Sequence, residues 1–197
     1  MSRSAFSSRL AEMKDLPRLS SLMALSIENL QRGFLNDAQI AASRAVMGLD
    51  TQLVQDGTYF IVEEGEHLAG CGGWSRRATL YGGDHSAALR DPAMLDPASD
   101  AARVRAMYTH PDFARRGVGR LILDLCEEAA MAEGFTRAEM MATMSGQPLY
   151  EACGYREIEK VEHEVDGVTV PLLRMGKNLT STLNPTRTGH RDPVHRF

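Results

Sequence analysis

Apolar residues recur along the chain at the spacings of both helices and strands. In two long stretches they stand three and four positions apart, on one face of a helix, and Asp15 is placed to cap the first stretch. Two shorter stretches show the same spacing. The pattern predicts helices at 15–30, 36–47, 118–132 and 146–153, with Gly33, Gly48 and Gly134 as stop signals.

Runs rich in β-branched and aromatic residues predict strands between these helices. Turn residues join two pairs of runs into hairpins: Glu64-Gly65-Glu66 in the first pair and Asp166-Gly167, the strongest hairpin signal of the chain, in the second. The predicted strands are 10–12, 58–63, 68–74, 101–109, 136–141, 155–165 and 168–175. The order of elements therefore indicates a mixed α/β (α+β) fold.

Residues 75–100 break this periodicity. Gly82-Gly83, Pro92 and Pro97 are spread among Asp, Ser and Ala, and few apolar positions recur. Loops of this length are usually functional or mobile. We therefore expect the segment to act as a lid over a bound substrate.

The composition is that of one globular domain. The 197 residues are 43% hydrophobic and 24% charged, which excludes collagen, coiled coils and wholesale disorder. A net charge of −4 argues against a protein that mainly wraps nucleic acid or binds an anionic membrane. The three cysteines lack C-x-x-C spacing, the six histidines lack metal-ligand spacing, and the first ten residues lack the apolar stretch of a signal peptide. We expect a cytoplasmic protein that binds no metal.

The charge is distributed unevenly. Residues 177–197 contain four basic residues and one acidic residue, whereas residues 1–176 carry a net charge of −7. We predict a single domain at 1–176 followed by a basic, flexible tail at 177–197. A nucleic-acid-binding arm is an alternative for the tail, and it predicts salt-dependent binding that is lost on truncation after Met175.

The segment 103–120, RVRAMYTHPDFARRGVGR, contains the most informative chemistry. It ends a predicted strand at a proline and places two glycines among three arginines at the start of a helix. Unpaired N–H groups and the positive end of the helix dipole make such a helix start a site for phosphate. The alternative is a tight loop with solvated arginines.

Other phosphate and catalytic motifs match poorly. A Rossmann fingerprint requires a third glycine where Ile122 stands, although Glu139 lies near the position of a ribose-binding acid. A Walker A motif and a G-x-S-x-G nucleophile motif are both missing from the sequence.

Residues 101–155 as a whole resemble the GCN5-related N-acetyltransferases, the GNAT superfamily. The resemblance rests on the strand 103–109, His110-Pro111, the loop 114–119, the helix up to Gly134 and the segment 149–155, in that order. Ala114 departs from the Gln or Arg usual in the family, and Ser145 stands where relatives often have an Asn that contacts the cofactor. The resemblance implies a mixed, twisted, mostly antiparallel sheet with helices on both faces.

The resemblance also implies acetyl-CoA as co-substrate. Its pyrophosphate would bind the N–H groups of residues 115–120, and its pantetheine arm would pair with the predicted strand 101–109. The thioester would then point into a gap between this strand and the next. The implied cofactor-binding residues are Met107, Tyr108, Thr109, Arg115, Arg116, Gly117, Val118, Gly119, Arg120 and Ser145.

Tyr150 is the implied catalytic residue, because it precedes Gly154 as in the Tyr-x-x-x-Gly motif of the family. Acyl transfer expels a thiolate with a pKa of about 8.5, and a tyrosine of pKa about 10 donates a proton at a cost of roughly 2 kcal/mol. We expect Tyr150 to be the general acid. Glu63, Asp84, His85 and Asp100 are candidates for the base, and none is assigned.

We therefore expect an N-acetyltransferase that moves acetyl from acetyl-CoA to a primary amine of a small molecule or peptide, by direct transfer in a ternary complex. Trp74 and Tyr81 are candidates for lining the acceptor pocket, and for Trp74 we favour packing in the core. Binding to nucleic acid or membrane is not expected, and a homodimer is implied only by the family. The alternative function is a non-catalytic acyl-CoA sensor or regulatory module that retains the same fold.

Overall fold

The computed structural model describes residues 6–180, which form seven strands and five helices. In chain order these are β1 (Ser7–Leu10), α1 (Leu16–Leu30), α2 (Asp37–Ser43), α3 (Thr51–Gln55), β2 (Tyr59–Glu64), β3 (His67–Ser75), β4 (Ala102–Thr109), α4 (Val118–Ala132), β5 (Arg137–Thr143), α5 (Gln147–Ala152), β6 (Arg156–Val165) and β7 (Val168–Asn178).

The strands form one sheet in the order β1-β2-β3-β4-β5-β7-β6. Every neighbouring pair is antiparallel except β4 and β5, which are parallel. One core lies between the sheet and α4, and a second core lies between the opposite face and α1, α2 and α3. The predicted mixed, mostly antiparallel sheet with helices on both faces is confirmed.

Amphipathic helices cover the two faces. The apolar stripe of α1, which includes Leu19, Leu22 and Ile27, is buried. On the other face, Val118 and Ile122 of α4 are buried against the sheet. Glycines of β3 allow this approach, because a Cβ at position 70 would lie 2.5 Å from Val118 Cγ1 and one at position 72 would lie 2.6 Å from Ile122 Cγ2.

A bulge bends β4 in the middle of the sheet. Tyr108 pairs with Cys71 and Arg105 with Gly73, so β4 contains one extra residue in this stretch. Ala106 takes the positive φ of 51° that the bulge requires. The hydroxyl of Tyr59 donates a 2.7 Å hydrogen bond to the Ala106 carbonyl oxygen and thereby satisfies a polar group that the bulge redirects.

The parallel pairing of β4 with β5 is short. Only Ala102 and Arg103 have ladder partners, which are Ala138 and Glu139. From Val104 onward the two strands diverge, and a wedge-shaped gap opens in the sheet.

Some elements differ from the sequence-based expectation. β1 lies at Ser7–Leu10 rather than 10–12, and α2 ends at Ser43 rather than at 47. The short helix α3 was not predicted, because a five-residue helix capped by Asp50 is too short for a periodic signal. β7 continues to Asn178, and Leu179 is buried, so ordered structure extends past the boundary placed at 176. Residues 181–197 of the predicted tail lie outside the described part of the chain.

The irregular segment after β3 has only one short 3-10 turn, at Ala87–Leu89. Ion pairs attach it to the body: Arg77 bonds Asp56 at 2.8 Å, and Arg90 bonds Asp50 at 3.0 Å. Closure of this segment as a lid stays a prediction.

Replacing Tyr59 by Phe should destabilise the fold by about 1–2 kcal/mol, because the Ala106 carbonyl would lose its buried partner while the ring stays in place. Chemical unfolding would measure the change. Tyr81→Phe is the control, since its hydroxyl bonds His163 in a more exposed position. Equal effects of the two substitutions would contradict this role for Tyr59.

Candidate active site

The gap between β4 and β5 is occupied by two adjoining cavities. The larger, of about 670 Å³, extends from the gap to the start of α4, and the smaller, of about 80 Å³, lies under residues 46–48 and 80–82. Five residues line both cavities: Met47, Met107, Tyr108, Thr143 and Tyr150. A reactant in one cavity would therefore meet a reactant in the other at these side chains.

The start of α4 forms one end of the larger cavity. Gly117 caps the helix with φ 90°, and Arg115 also has a positive φ, of 61°. The first intrahelical bond runs from the Leu121 N–H to the Gly117 carbonyl, so the three preceding N–H groups have no partner within the helix. This end of the cavity is suited to an anion.

The side chain of Arg116 binds groups outside the two cavities. Its guanidinium bonds the Glu64 carboxylate at 2.6 and 3.2 Å and lies 4.9 Å from the ring centre of Phe113 and 5.3 Å from that of Phe6. Its side chain does not line either cavity, whereas Arg115 and Arg120 line the larger one. The three arginines expected to act on one anion are thus divided: two face the cavity, and Arg116 anchors the loop.

Gly119 is required for helix packing. A Cβ at this position would lie 2.7 Å from Leu149 Cδ2 and 3.8 Å from Thr109 Oγ1. A glycine here also lets a phosphate approach the backbone closely. The structure adds a second reason, which is the close contact between α4 and the helix that contains Tyr150.

The remaining predicted cofactor residues also line the larger cavity. Met107, Tyr108 and Thr109 belong to the part of β4 that has no partner on β5. Ser145 lies across the gap, with its hydroxyl 3.1 Å from the Thr143 hydroxyl.

Tyr150 lies where the two cavities meet. Its side chain packs so closely on Gly146 that a Cβ there would be 2.7 Å from the ring. Burial raises the pKa of Tyr150 well above its ordinary value near 10, so the phenol is protonated at neutral pH. Tyr150 lines both cavities, which makes it the candidate proton donor at the place where they meet.

The four candidate bases lie elsewhere. Glu63 pairs with Arg9 and Arg18, and Asp84 accepts hydrogen bonds from Thr51 and Arg90. None of Glu63, Asp84, His85 and Asp100 lines either cavity.

Sequence reasoning missed a buried ion pair beside the smaller cavity. The Arg105 guanidinium lies 2.7 Å from the Asp50 carboxylate and donates a 2.6 Å hydrogen bond to the Gly82 carbonyl. Burial lowers the pKa of Arg105, and Asp50 opposes this effect. Two arginines, Arg103 and Arg105, within a mostly apolar strand were the available signal, because a charge that is buried in such a strand requires a partner.

The two aromatic residues considered for the acceptor pocket have different roles. Trp74 is buried and packs edge-on against Phe135 at 5.9 Å, so it belongs to the core. Tyr81 lines the smaller cavity, and its hydroxyl lies 3.2 Å from His163 Nδ1.

Comparison with known proteins identifies the family. The family model described as acetyltransferase (GNAT) family matches residues 24–155, which is more than half of the chain. The chain belongs to the GNAT family. A search of curated proteins finds no match.

Solved GNAT structures share the fold. A GCN5-related N-acetyltransferase from Rhodopseudomonas palustris has 19% sequence identity and a TM-score of 0.63, with 91% of this chain and 98% of the other covered. A PaiA N-acetyltransferase from Thermoplasma acidophilum, solved in complex with coenzyme A, has 12% identity and a TM-score of 0.59, with coverage of 88% and 99%. The ribosomal-protein-S18-alanine N-acetyltransferase from Escherichia coli has 13% identity and a TM-score of 0.55, with coverage of 93% and 99%.

Within residues 6–180, two kinds of feature are absent. No helix in this range is long and apolar enough to cross a bilayer. Nor does the same range contain three His, Cys, Asp or Glu side chains grouped as metal ligands.

Replacing Arg116 by Gln should lower stability by up to about 1 kcal/mol, because the ion pair with Glu64 and the stacking on two aromatic rings are lost together. Thermal unfolding would measure this. Arg115→Gln is the matched control, and it should leave the melting temperature nearly unchanged because its side chain faces the cavity. A larger loss of stability in the control would contradict the anchoring role.

Proposed function

We propose that this GNAT protein transfers acetyl from acetyl-CoA to a primary amine of a small molecule or peptide, by direct transfer within a ternary complex. The observation that carries the proposal is the meeting of two cavities at Tyr150, in the gap where β4 and β5 diverge. Two substrates bound from opposite sides would react there without a covalent enzyme intermediate.

The larger cavity is the proposed site of acetyl-CoA. The pyrophosphate binds the free N–H groups at the start of α4, with Arg115 and Arg120 nearby. The pantetheine arm extends along Met107, Tyr108 and Thr109, whose backbone has no strand partner on the β5 side. The PaiA N-acetyltransferase, which has the same fold and was solved in complex with coenzyme A, supports coenzyme A as the ligand.

The smaller cavity is the proposed site of the amine. The amine nitrogen attacks the thioester carbonyl carbon, the carbon–sulfur bond breaks, and coenzyme A leaves as a thiolate. Tyr150 donates its proton to that sulfur, the proton released by the amine passes to water, and water then returns a proton to the Tyr150 phenolate. Tyr81 and Gly82 form part of the wall, so the segment after β3 would order around the bound amine.

A non-catalytic acyl-CoA sensor is the second candidate, and one observation favours it. None of Glu63, Asp84, His85 and Asp100 lines either cavity, so none of the candidate bases is placed to accept the proton of the amine. Release of free thiol from acetyl-CoA in the presence of a mixture of amines separates the two functions. The enzyme releases thiol only when amine is present, whereas a sensor binds acetyl-CoA without turnover.

Acetyl-CoA should bind with a dissociation constant in the micromolar range or tighter, about 8 kcal/mol, and pantetheine alone far more weakly. Gly119→Val should weaken binding by at least about tenfold, because the added side chain displaces Leu149 and narrows the cavity. Isothermal titration calorimetry measures both affinities. Equal affinity of the wild type and the variant would rule out the loop 115–120 as the binding site of the pyrophosphate.

Tyr150→Phe retains the ring but removes the hydroxyl, so acetyl-CoA affinity should persist while kcat falls by about 10² to 10⁴. Steady-state kinetics with a saturating amine would measure this. Tyr155→Phe is the matched control, because this buried tyrosine contacts Tyr150 edge-on but does not line a cavity. A decrease in kcat of less than about fivefold for Tyr150→Phe would leave Tyr150 with a packing role only.

A further inference from the structure

The amine that reacts has to lose a proton, and the two cavities contain no ordinary base to take it. An alkyl amine has a pKa of about 10.4, so it is almost entirely protonated at neutral pH, and even the free base releases a proton when the amide forms. Among residues 6–180, no Asp, Glu or His lines either cavity. A base of the protein therefore acts on the amine only from outside, through a polar group in the cavity wall.

Four residues that line the smaller cavity carry a side-chain hydroxyl: Tyr81, Tyr108, Thr143 and Tyr150. The Tyr108 hydroxyl accepts a 2.8 Å hydrogen bond from the Gly48 N–H. The Thr143 hydroxyl lies 3.1 Å from the hydroxyl of Ser145. Tyr150 is already assigned to the departing sulfur. None of these three hydroxyls contacts a base.

The Tyr81 hydroxyl does contact a base. It lies 3.2 Å from Nδ1 of His163, and the two rings meet edge-on with their centres 5.8 Å apart. In the tautomer that carries its proton on Nε2, Nδ1 accepts a hydrogen bond from the phenol. Partial burial raises the pKa of Tyr81, so the phenol is protonated at neutral pH and has a proton to pass on.

His163 connects this contact to solvent. It lies on β6, which is the edge strand of the sheet, and its side chain is partly exposed. Imidazole groups take up and release protons near neutral pH. A proton that reaches Nδ1 from the cavity side is therefore balanced by a proton that leaves the ring for bulk water.

The backbone on both sides of Tyr81 is held in place. Before it, the Thr79 hydroxyl donates a 2.9 Å hydrogen bond to the Asp91 carbonyl and accepts one of 2.9 Å from the Asp91 N–H. After it, the Arg105 guanidinium donates a 2.6 Å hydrogen bond to the Gly82 carbonyl. These contacts fix the backbone from which the phenol extends to His163.

We propose that Tyr81 and His163 form the relay that carries the proton of the acceptor amine to water. As the amine nitrogen bonds to the thioester carbon, its surplus proton passes to the Tyr81 oxygen and the phenol proton passes to Nδ1 of His163. The imidazolium then releases a proton to water, so both side chains end neutral. This inference rests on the proposed function above and names the route to solvent. Tyr81 contacts the amine, and His163 acts through Tyr81.

Tyr81→Phe and His163→Gln each interrupt the relay. Phe keeps the ring but has no proton to exchange, and Gln keeps a hydrogen-bonding side chain that takes up no proton. Thiol release is measured with the full-length protein, acetyl-CoA and the most reactive of butylamine, glycinamide and trialanine. Each variant should lose at least about tenfold in kcat, with an unchanged KM for acetyl-CoA. His67→Gln is the matched control and should keep its kcat, because His67 is exposed and lies outside both cavities.

A double variant and chemical rescue distinguish a relay from a packing role. Members of one relay act as a unit, so the double variant should be within about twofold of the slower single variant. In His163→Ala, added imidazole should raise kcat at least about threefold, whereas Tyr81→Phe should gain nothing.

A kcat within about twofold of the wild type in either single variant would overturn the inference and leave acetyl transfer intact. Rescue by imidazole that does not require the Tyr81 hydroxyl would overturn it as well. If acetyl-CoA binds but neither these amines nor a broader amine panel releases thiol from the wild type, it is the proposed function that fails, and the relay fails with it.

Discussion

The two-residue length of the parallel ladder between β4 and β5 is the constraint on which the site depends. A longer ladder would close the sheet and eliminate the gap that contains both cavities. Ion pairs fix the last pair of this ladder, Arg103 and Glu139. The Glu139 carboxylate lies 2.7 Å from the guanidinium groups of both Arg103 and Arg174. The point of divergence is therefore held by charges from three strands, and the open edge beyond it exposes backbone groups for hydrogen bonding.

The free-energy cost of opening the sheet is offset by contacts in the second core, which lies between the sheet and α1, α2 and α3. The bulge at Ala106 bends β4 away from β5, and the Tyr59 hydroxyl satisfies the carbonyl that this bend redirects. On the other face, the glycines of β3 let α4 lie so close to the sheet that its free N–H groups reach the gap. Strand geometry and helix position thus contribute to one cavity from opposite faces.

The sequence predicted the parts of this arrangement that arise from local patterns. The amphipathic spacing of α1 and α4 and the Asp166-Gly167 turn located the long elements. The motif around Gly117 and Gly119 located one end of the larger cavity. The sequence did not predict which charged side chains pair in the folded protein. Arg116 faces Glu64 and Arg105 faces Asp50 across 52 and 55 positions of sequence, and no local pattern indicates which of several arginines is buried, paired or free.

The contact between Gly119 and Leu149 couples the two halves of the site. Leu149 directly precedes Tyr150, the proposed proton donor. The volume available at position 119 therefore fixes how closely the helix that contains Tyr150 approaches the end of the cavity that is suited to an anion. The two positions share one volume, and a larger side chain at either requires a smaller one at the other. Among homologous sequences, residues at these positions should therefore vary together in size.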